Sequence, residues 1–159
     1  MKFQNPKNLI YITSHRNLLE YKLKELFSRF KNLNKKEIVD FGCGGKPRYK
    51  YLAPNAKWYF FDKNPKLESI KYSNAKDIPI KKADIFMSIE VLQYLDFLEI
   101  EFFFEEVSRI INNNGLGIIS IPYLYPIDHK ENFRVSIRYL KSSLLKENID
   151  LEIIEIGNF

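Results

Sequence analysis

Two carboxylates and a cluster of glycines carry the clearest chemical content in the chain. Asp40-Phe41-Gly42-Cys43-Gly44-Gly45 closes a short apolar run, Ile38 to Phe41, and Asp62 ends the next apolar run, Lys57 to Asp62. Glycine lets a backbone turn sharply and leaves no Cβ to hold off a ligand. A helix that starts near Pro47 aims its free N–H groups and positive end at that turn. In a strand–turn–helix–strand unit, an acid placed like Asp62 meets ribose hydroxyls. The plainer reading of Asp62 is a turn acid, because Asp-Lys-Asn-Pro is turn chemistry. Taken together, turn and acid predict a nucleoside-containing cofactor at the carboxyl ends of parallel strands.

Three cofactor classes use such a turn. A phosphate-binding P-loop needs Gly-Lys followed by Ser or Thr, and here Pro47 follows Lys46. A dinucleotide site wants a small third residue, and that position falls on Pro47. S-adenosylmethionine (SAM) has no pyrophosphate and needs the turn without the third glycine.

Asp40 to Gly45, followed by Lys46-Pro47-Arg48-Tyr49, resembles motif one of the class I SAM-dependent methyltransferases, in the type 11-like subgroup. Ala83-Asp84-Ile85-Phe86-Met87-Ser88-Ile89-Glu90-Val91-Leu92 is similar to that family's fourth strand and following helix, with Gln93-Tyr94 where Glu-His is usual. Arg109 to Pro122 looks like its helix end and fifth strand, and Phe133-Arg134 with Ser136 resembles its later loop. The resemblance implies a three-layer α/β/α sandwich around a Rossmann-like, mostly parallel sheet. The family's antiparallel seventh strand lies between its fifth and sixth, and no residues remain for it after the last predicted strand.

The resemblance also assigns residues. Asp40 places the methionine ammonium, and Gly42, Cys43 and Gly44 admit the methionine end. Asp62 binds ribose. Asp77 and Ile78 flank adenine, and Ser88 and Ile89 offer backbone contacts. His129, whose unperturbed pKa suits proton transfer near neutrality, is the candidate catalytic base. Tyr94, Tyr125 and Arg134 are candidate substrate-binding residues. No metal is implied. The reaction is methyl transfer to a small-molecule, glycan or lipid-linked acceptor. Two alternatives stay open: a non-catalytic SAM-binding or partner-binding relative, and an NAD-dependent oxidoreductase.

The elements that must position these residues follow from patterning. Met1 to Ile12 reads as an irregular lead-in, and residues 1–33 as lead-in plus helix within a single domain, 1–159. Ser14 is a candidate cap for a helix to about Lys31, with Leu19, Leu23, Leu26, Phe27 and Phe30 on one stripe. Asp96 caps a second predicted helix, to about Ile111, whose inward stripe includes Phe97, Ile100, Phe103, Phe104 and Val107 and omits Phe102. Strands are expected at Ile38 to Phe41, Lys57 to Asp62, Ser69 to Tyr72, Ala83 to Ile89, Gly115 to Ile121 and Leu151 to Ile156, with a helix from Ser136 to about Glu147.

Composition sets outer bounds. The 159 residues are 45% hydrophobic and 28% charged, as in a globular domain with a real core. The formal charge is +5, but the lysines are scattered, so nucleic-acid binding is not favoured. No apolar run reaches a membrane span. One cysteine, Cys43, excludes a disulfide framework and a cysteine-rich zinc site, and a cytoplasmic location is the default expectation. An uncovered strand edge next to the fifth strand would make a homodimer an expected remedy.

Overall fold

The computed structural model describes residues 7–14, 16–64, 70, 72–79, 81–122, 142 and 149–156. These form β1 (Lys7–Ser14), α1 (Arg16–Ser28), β2 (Glu37–Phe41), β3 (Lys57–Phe61), β4 (Ala83–Ile89), α2 (Phe97–Ile110), β5 (Ile111–Pro122) and β6 (Ile149–Ile156), with three-residue 3-10 turns between some of them. The strands make one six-stranded sheet in the order β3-β2-β4-β5-β1-β6. Every pairing in it is parallel.

A parallel sheet is covered on both faces, so its central strands are rich in apolar residues. Alternation along each strand divides the core in two. Ile38, Ile85, Met87 and Ile118 face α1 and its stripe of Leu19, Leu23, Leu26 and Phe27. Val39, Phe41, Phe86 and Ile119 face α2, through Ile100, Phe103, Phe104, Val107 and Ile110. The result is an α/β/α sandwich. Phe41 sits at the centre of the second core, with ring centroids 4.3 Å from Phe61, 5.5 Å from Phe86 and 5.5 Å from Phe103. Helix α2 starts as predicted: Asp96 accepts the Glu99 N–H, and the Glu99 side chain accepts the Asp96 N–H.

Four expectations are corrected. First, residues 7–14 are not an irregular lead-in but strand β1, paired to β5 on one side and β6 on the other. Leu9-Ile10-Tyr11-Ile12-Thr13 is strong strand composition. The place between β5 and the last strand is therefore filled, in parallel, by the N-terminal strand. No open β5 edge is left to attract a second copy. Second, no α-helix follows the glycine turn. Residues 42 and 44–49 form turns and bends that lead only to a 3-10 turn at Lys50–Leu52. The Arg48 N–H folds back to the Lys46 carbonyl at 2.8 Å, and Pro54 blocks extension. Third, the fifth strand starts before Gly115 and takes in Asn112-Asn113-Asn114. Strand β5 begins directly after α2 at Ile111, and the extra residues are absorbed as an irregularity opposite Ala83 and Ile85. Fourth, Phe97 lies outside the buried stripe.

Of the expected strand around Ser69 to Tyr72 only Ile70 and Tyr72 are described, and Tyr72 forms a parallel bridge with Phe61. The expected helix from Ser136 to Glu147 lies, apart from Ser142, outside the described residues. Among the described residues, no helix is long and apolar enough to cross a membrane.

A candidate cofactor cavity at the carboxyl ends of the strands

Strand β2 is central to the site because its two neighbours are reached in opposite directions: the chain goes to β3 on one side and later to β4 on the other. In open parallel sheets such a switch point leaves a crevice at the carboxyl ends. A cavity of about 800 Å³ opens there. Its walls come from the turn after β2, the end of β3, residues 73–75, the end of β4 and the start of α2.

The turn is built by its hydrogen bonds. Register sets Phe41 opposite Phe61, so β2 and β3 end level. The Gly42 and Cys43 N–H groups both donate to the Phe61 carbonyl, at 2.8 and 3.1 Å. The Gly44 N–H then donates to Asp62 Oδ2 at 2.7 Å, and the Asn64 N–H donates to Asp62 Oδ1 at 2.9 Å. One carboxylate thus clamps both the glycine turn and its own turn. Gly42 has φ +81° and its missing Cβ would lie 2.5 Å from a Val91 methyl carbon. Gly44 has φ +70°, and a Cβ there would meet nothing within 4 Å. Gly42 is required by packing, while Gly44 leaves a bare backbone beside the cavity.

Asp40 lines the same cavity, yet it is only 2% exposed, and its Oδ2 has no hydrogen-bond partner. Burial, reinforced by the nearby Asp62 charge and opposed by Arg48, raises its carboxyl pKa to about 7. The Cys43 thiol is pushed up to about 12, first by burial and then by Asp40 and Asp62. At neutral pH it is a small packing group and not a nucleophile. Among the described residues, the charged ones lining the cavity are Asp40, Asp62, Glu90 and Glu99 against Arg48 and Lys63, and Lys63 is paired to Glu99 at 2.7 Å. This described lining is net acidic in a chain that is net basic.

The predicted residues separate into three groups. Asp40, Gly42, Cys43, Gly44, Asp62, Ile89 and Tyr94 are brought together around the cavity. Asp77, Ile78 and Ser88 do not line it. Asp77 is exposed, Ile78 is fully buried in the α2-side core, and Ser88 is fully buried inside the sheet. Tyr125, His129 and Arg134 lie outside the described residues.

The structure puts Asn74 and Ala75 where Asp77 and Ile78 were expected. A 3-10 turn, Ala75–Asp77, rotates Ile78 inward; Asn74 starts it, its Oδ1 accepting the Lys76 N–H at 3.1 Å. Arg109 holds this turn against α2, donating to the Ile78 carbonyl at 2.6 Å and the Ala75 carbonyl at 2.8 Å. Its guanidinium is also paired with the buried Glu106.

Residues not anticipated also line the cavity: Arg48, Tyr49, Glu90, Val91 and Phe103 among them. Glu90 ends β4 in the left-handed region, φ 58°, and its N–H donates to the Ser120 carbonyl at 3.0 Å. A strained non-glycine residue at a strand end beside a cavity is a common mark of a working site. Its side chain carries no sequence signal for this, beyond its place after an apolar strand. No family model and no curated protein matches this chain.

Proposed function

We propose that the cavity binds S-adenosylmethionine and that the protein is a methyltransferase. The carrying observation is the buried, unpartnered Asp40 carboxylate oxygen beside a glycine turn that Asp62 clamps. A buried acceptor without a partner calls for a donor, and the ammonium of the methionine moiety is one. Asp62 retains acceptor capacity for ribose hydroxyls, since each carboxylate oxygen has a second lone pair beyond the N–H it already accepts. In this reading Asn74 and Ala75, which line the cavity, take the adenine side in place of Asp77 and Ile78, and the lining Arg48 is the cation for the ligand carboxylate.

Charge favours this ligand over a dinucleotide. SAM carries a sulfonium and an ammonium against one carboxylate, which suits an acidic cavity. A pyrophosphate would meet Asp40 and Asp62 without the helix N-terminus that normally stabilises it. The chemistry SAM supplies when bound is an electrophilic methyl group. What the chain must add is alignment of an acceptor with that methyl. The base assigned from sequence, His129, remains part of the proposal.

One observation favours a second reading, binding without turnover. Gln93 is buried, and its amide donates to the Glu90 carbonyl at 2.8 Å. It serves the turn after β4 and offers no reacting group.

Calorimetry with S-adenosylhomocysteine and NAD tests the proposal. Micromolar binding of the first and none of the second is expected. Preference for NAD, or binding of neither, would overturn it.

A further inference from the structure

The mouth of the cavity is apolar on one side. Tyr94 and Phe102 line the cavity and yet are 64% and 38% exposed. Leu98 is 73% exposed, one turn before Phe102 on the same face of α2. The Asp96–Glu99 capping box fixes the start of this helix, from which Leu98 and Phe102 project, and Tyr94 ends the 3-10 turn just before it. Large apolar side chains grouped at a cavity mouth mark a contact site more often than they mark chance. Among the described residues the charges around them are mainly acidic, with Lys63 paired to Glu99 at 2.7 Å and Arg48 deeper in the lining. Glu90 lines the cavity, and Glu101 and Glu105 are exposed on α2.

We propose that Tyr94, Leu98 and Phe102 form the acceptor-binding rim, and that the acceptor is a small molecule pairing an alkyl or aryl group with a cationic amine. This rests on the methyltransferase reading for the word acceptor; the rim itself is a binding site whether or not SAM binds. Apolar contact selects the hydrocarbon part. The surrounding carboxylates select against anions, so fatty acids, phosphorylated sugars and the surfaces of anionic membranes are disfavoured. A sugar without an apolar group has nothing to bury on the rim.

The test uses 4-phenylbutylamine, 4-phenylbutyrate and methyl glucoside as probes. Each is titrated calorimetrically into the protein, with and without S-adenosylhomocysteine. The amine should bind roughly tenfold or more tighter than the carboxylate, and the glucoside should not bind. Leu98→Ser should weaken the amine by roughly tenfold, as expected for losing one apolar contact, and leave the S-adenosylhomocysteine affinity unchanged. Leu98 is largely exposed, so this variant should fold. Equal or tighter binding of the carboxylate, or an amine affinity insensitive to Leu98→Ser, would overturn the rim assignment. Failure of S-adenosylhomocysteine to bind would sink the cofactor reading alone, because the amine titration reads the rim without it.

Discussion

Asp62 and Gly44 are joined by a 2.7 Å hydrogen bond from the glycine N–H to the carboxylate, which couples the turn after β2 to the end of β3. The same carboxylate accepts the Asn64 N–H at 2.9 Å. Asp62 is therefore a turn acid, and it lines the cavity where the proposed ligand would meet it.

Replacing Asp62 should separate those two roles. Asp62→Ala removes both acceptors and should cost about 1–3 kcal/mol of stability, the range for losing hydrogen bonds to a charged group. Asp62→Asn keeps one acceptor and should cost less, while still weakening S-adenosylhomocysteine binding. Urea denaturation and calorimetry on both variants give the two quantities.

The two left-handed glycines should respond differently to alanine. Gly42→Ala forces a Cβ to within 2.5 Å of Val91 and adds strain at φ +81°, so a loss of about 2–4 kcal/mol is expected. Gly44→Ala meets open space and adds strain only, about 1 kcal/mol. Its larger effect should be on the affinity for the ligand. Thermal denaturation should rank the two in that order.

Asp40 predicts a pH dependence of stability. Its pKa is about 7 when folded, against the usual 3.8 when unfolded. Below about pH 4 both states hold the proton, and the group contributes no penalty. Between about pH 4 and 7 the unfolded state releases it first, so stability falls as pH rises. The full penalty, at most about 4 kcal/mol, is reached above pH 7. Asp40→Asn should raise the melting temperature at pH 8, change little at pH 4, and weaken ligand binding at pH 8, where the native carboxylate is charged.

Ligand binding should carry the opposite sign. An ammonium favours the Asp40 carboxylate, so binding expels the proton held below about pH 7. Affinity should rise from pH 6 to pH 8 in the native chain and become flatter in Asp40→Asn. Calorimetry in buffers of different ionisation enthalpy reads the proton release directly.

Arg109 should be a stability residue with an effect at the cavity. Arg109→Met leaves the buried Glu106 charge and the Ala75 and Ile78 carbonyls without their shared partner, at a cost of about 3–5 kcal/mol. Chemical denaturation measures it.

Local patterning made much of the frame legible. The runs at Ile38 to Phe41 and Lys57 to Asp62 read as strands, the second as one covered on both faces, and Asp96 read as the cap of α2, because each signal lies within a few residues, while Ala83 to Ile89 read as a strand through the family resemblance. Strand β1 was not legible as part of the sheet. Its partners begin at residues 111 and 149, and nothing local says that an N-terminal segment fills a place between them. Pro47 read as a helix start, but a proline permits a first turn without supplying what prolongs it. Asp77 and Ile78 were assigned to the adenine side by the family resemblance, and a single 3-10 turn puts Asn74 and Ala75 in the cavity lining instead. The acidity of the cavity was hidden for the same reason. Asp40, Asp62, Glu90 and Glu99 are far apart in a basic chain, and only the strand ends bring them together.

The most direct measurement of the central claim is calorimetric titration of S-adenosylmethionine and S-adenosylhomocysteine into the native chain and Asp40→Asn at pH 8. Micromolar binding of both to the native chain is predicted, lowered at least about tenfold by removing the one charge that meets the ammonium. Binding that Asp40→Asn leaves unchanged, or no binding to the folded native chain, would contradict it.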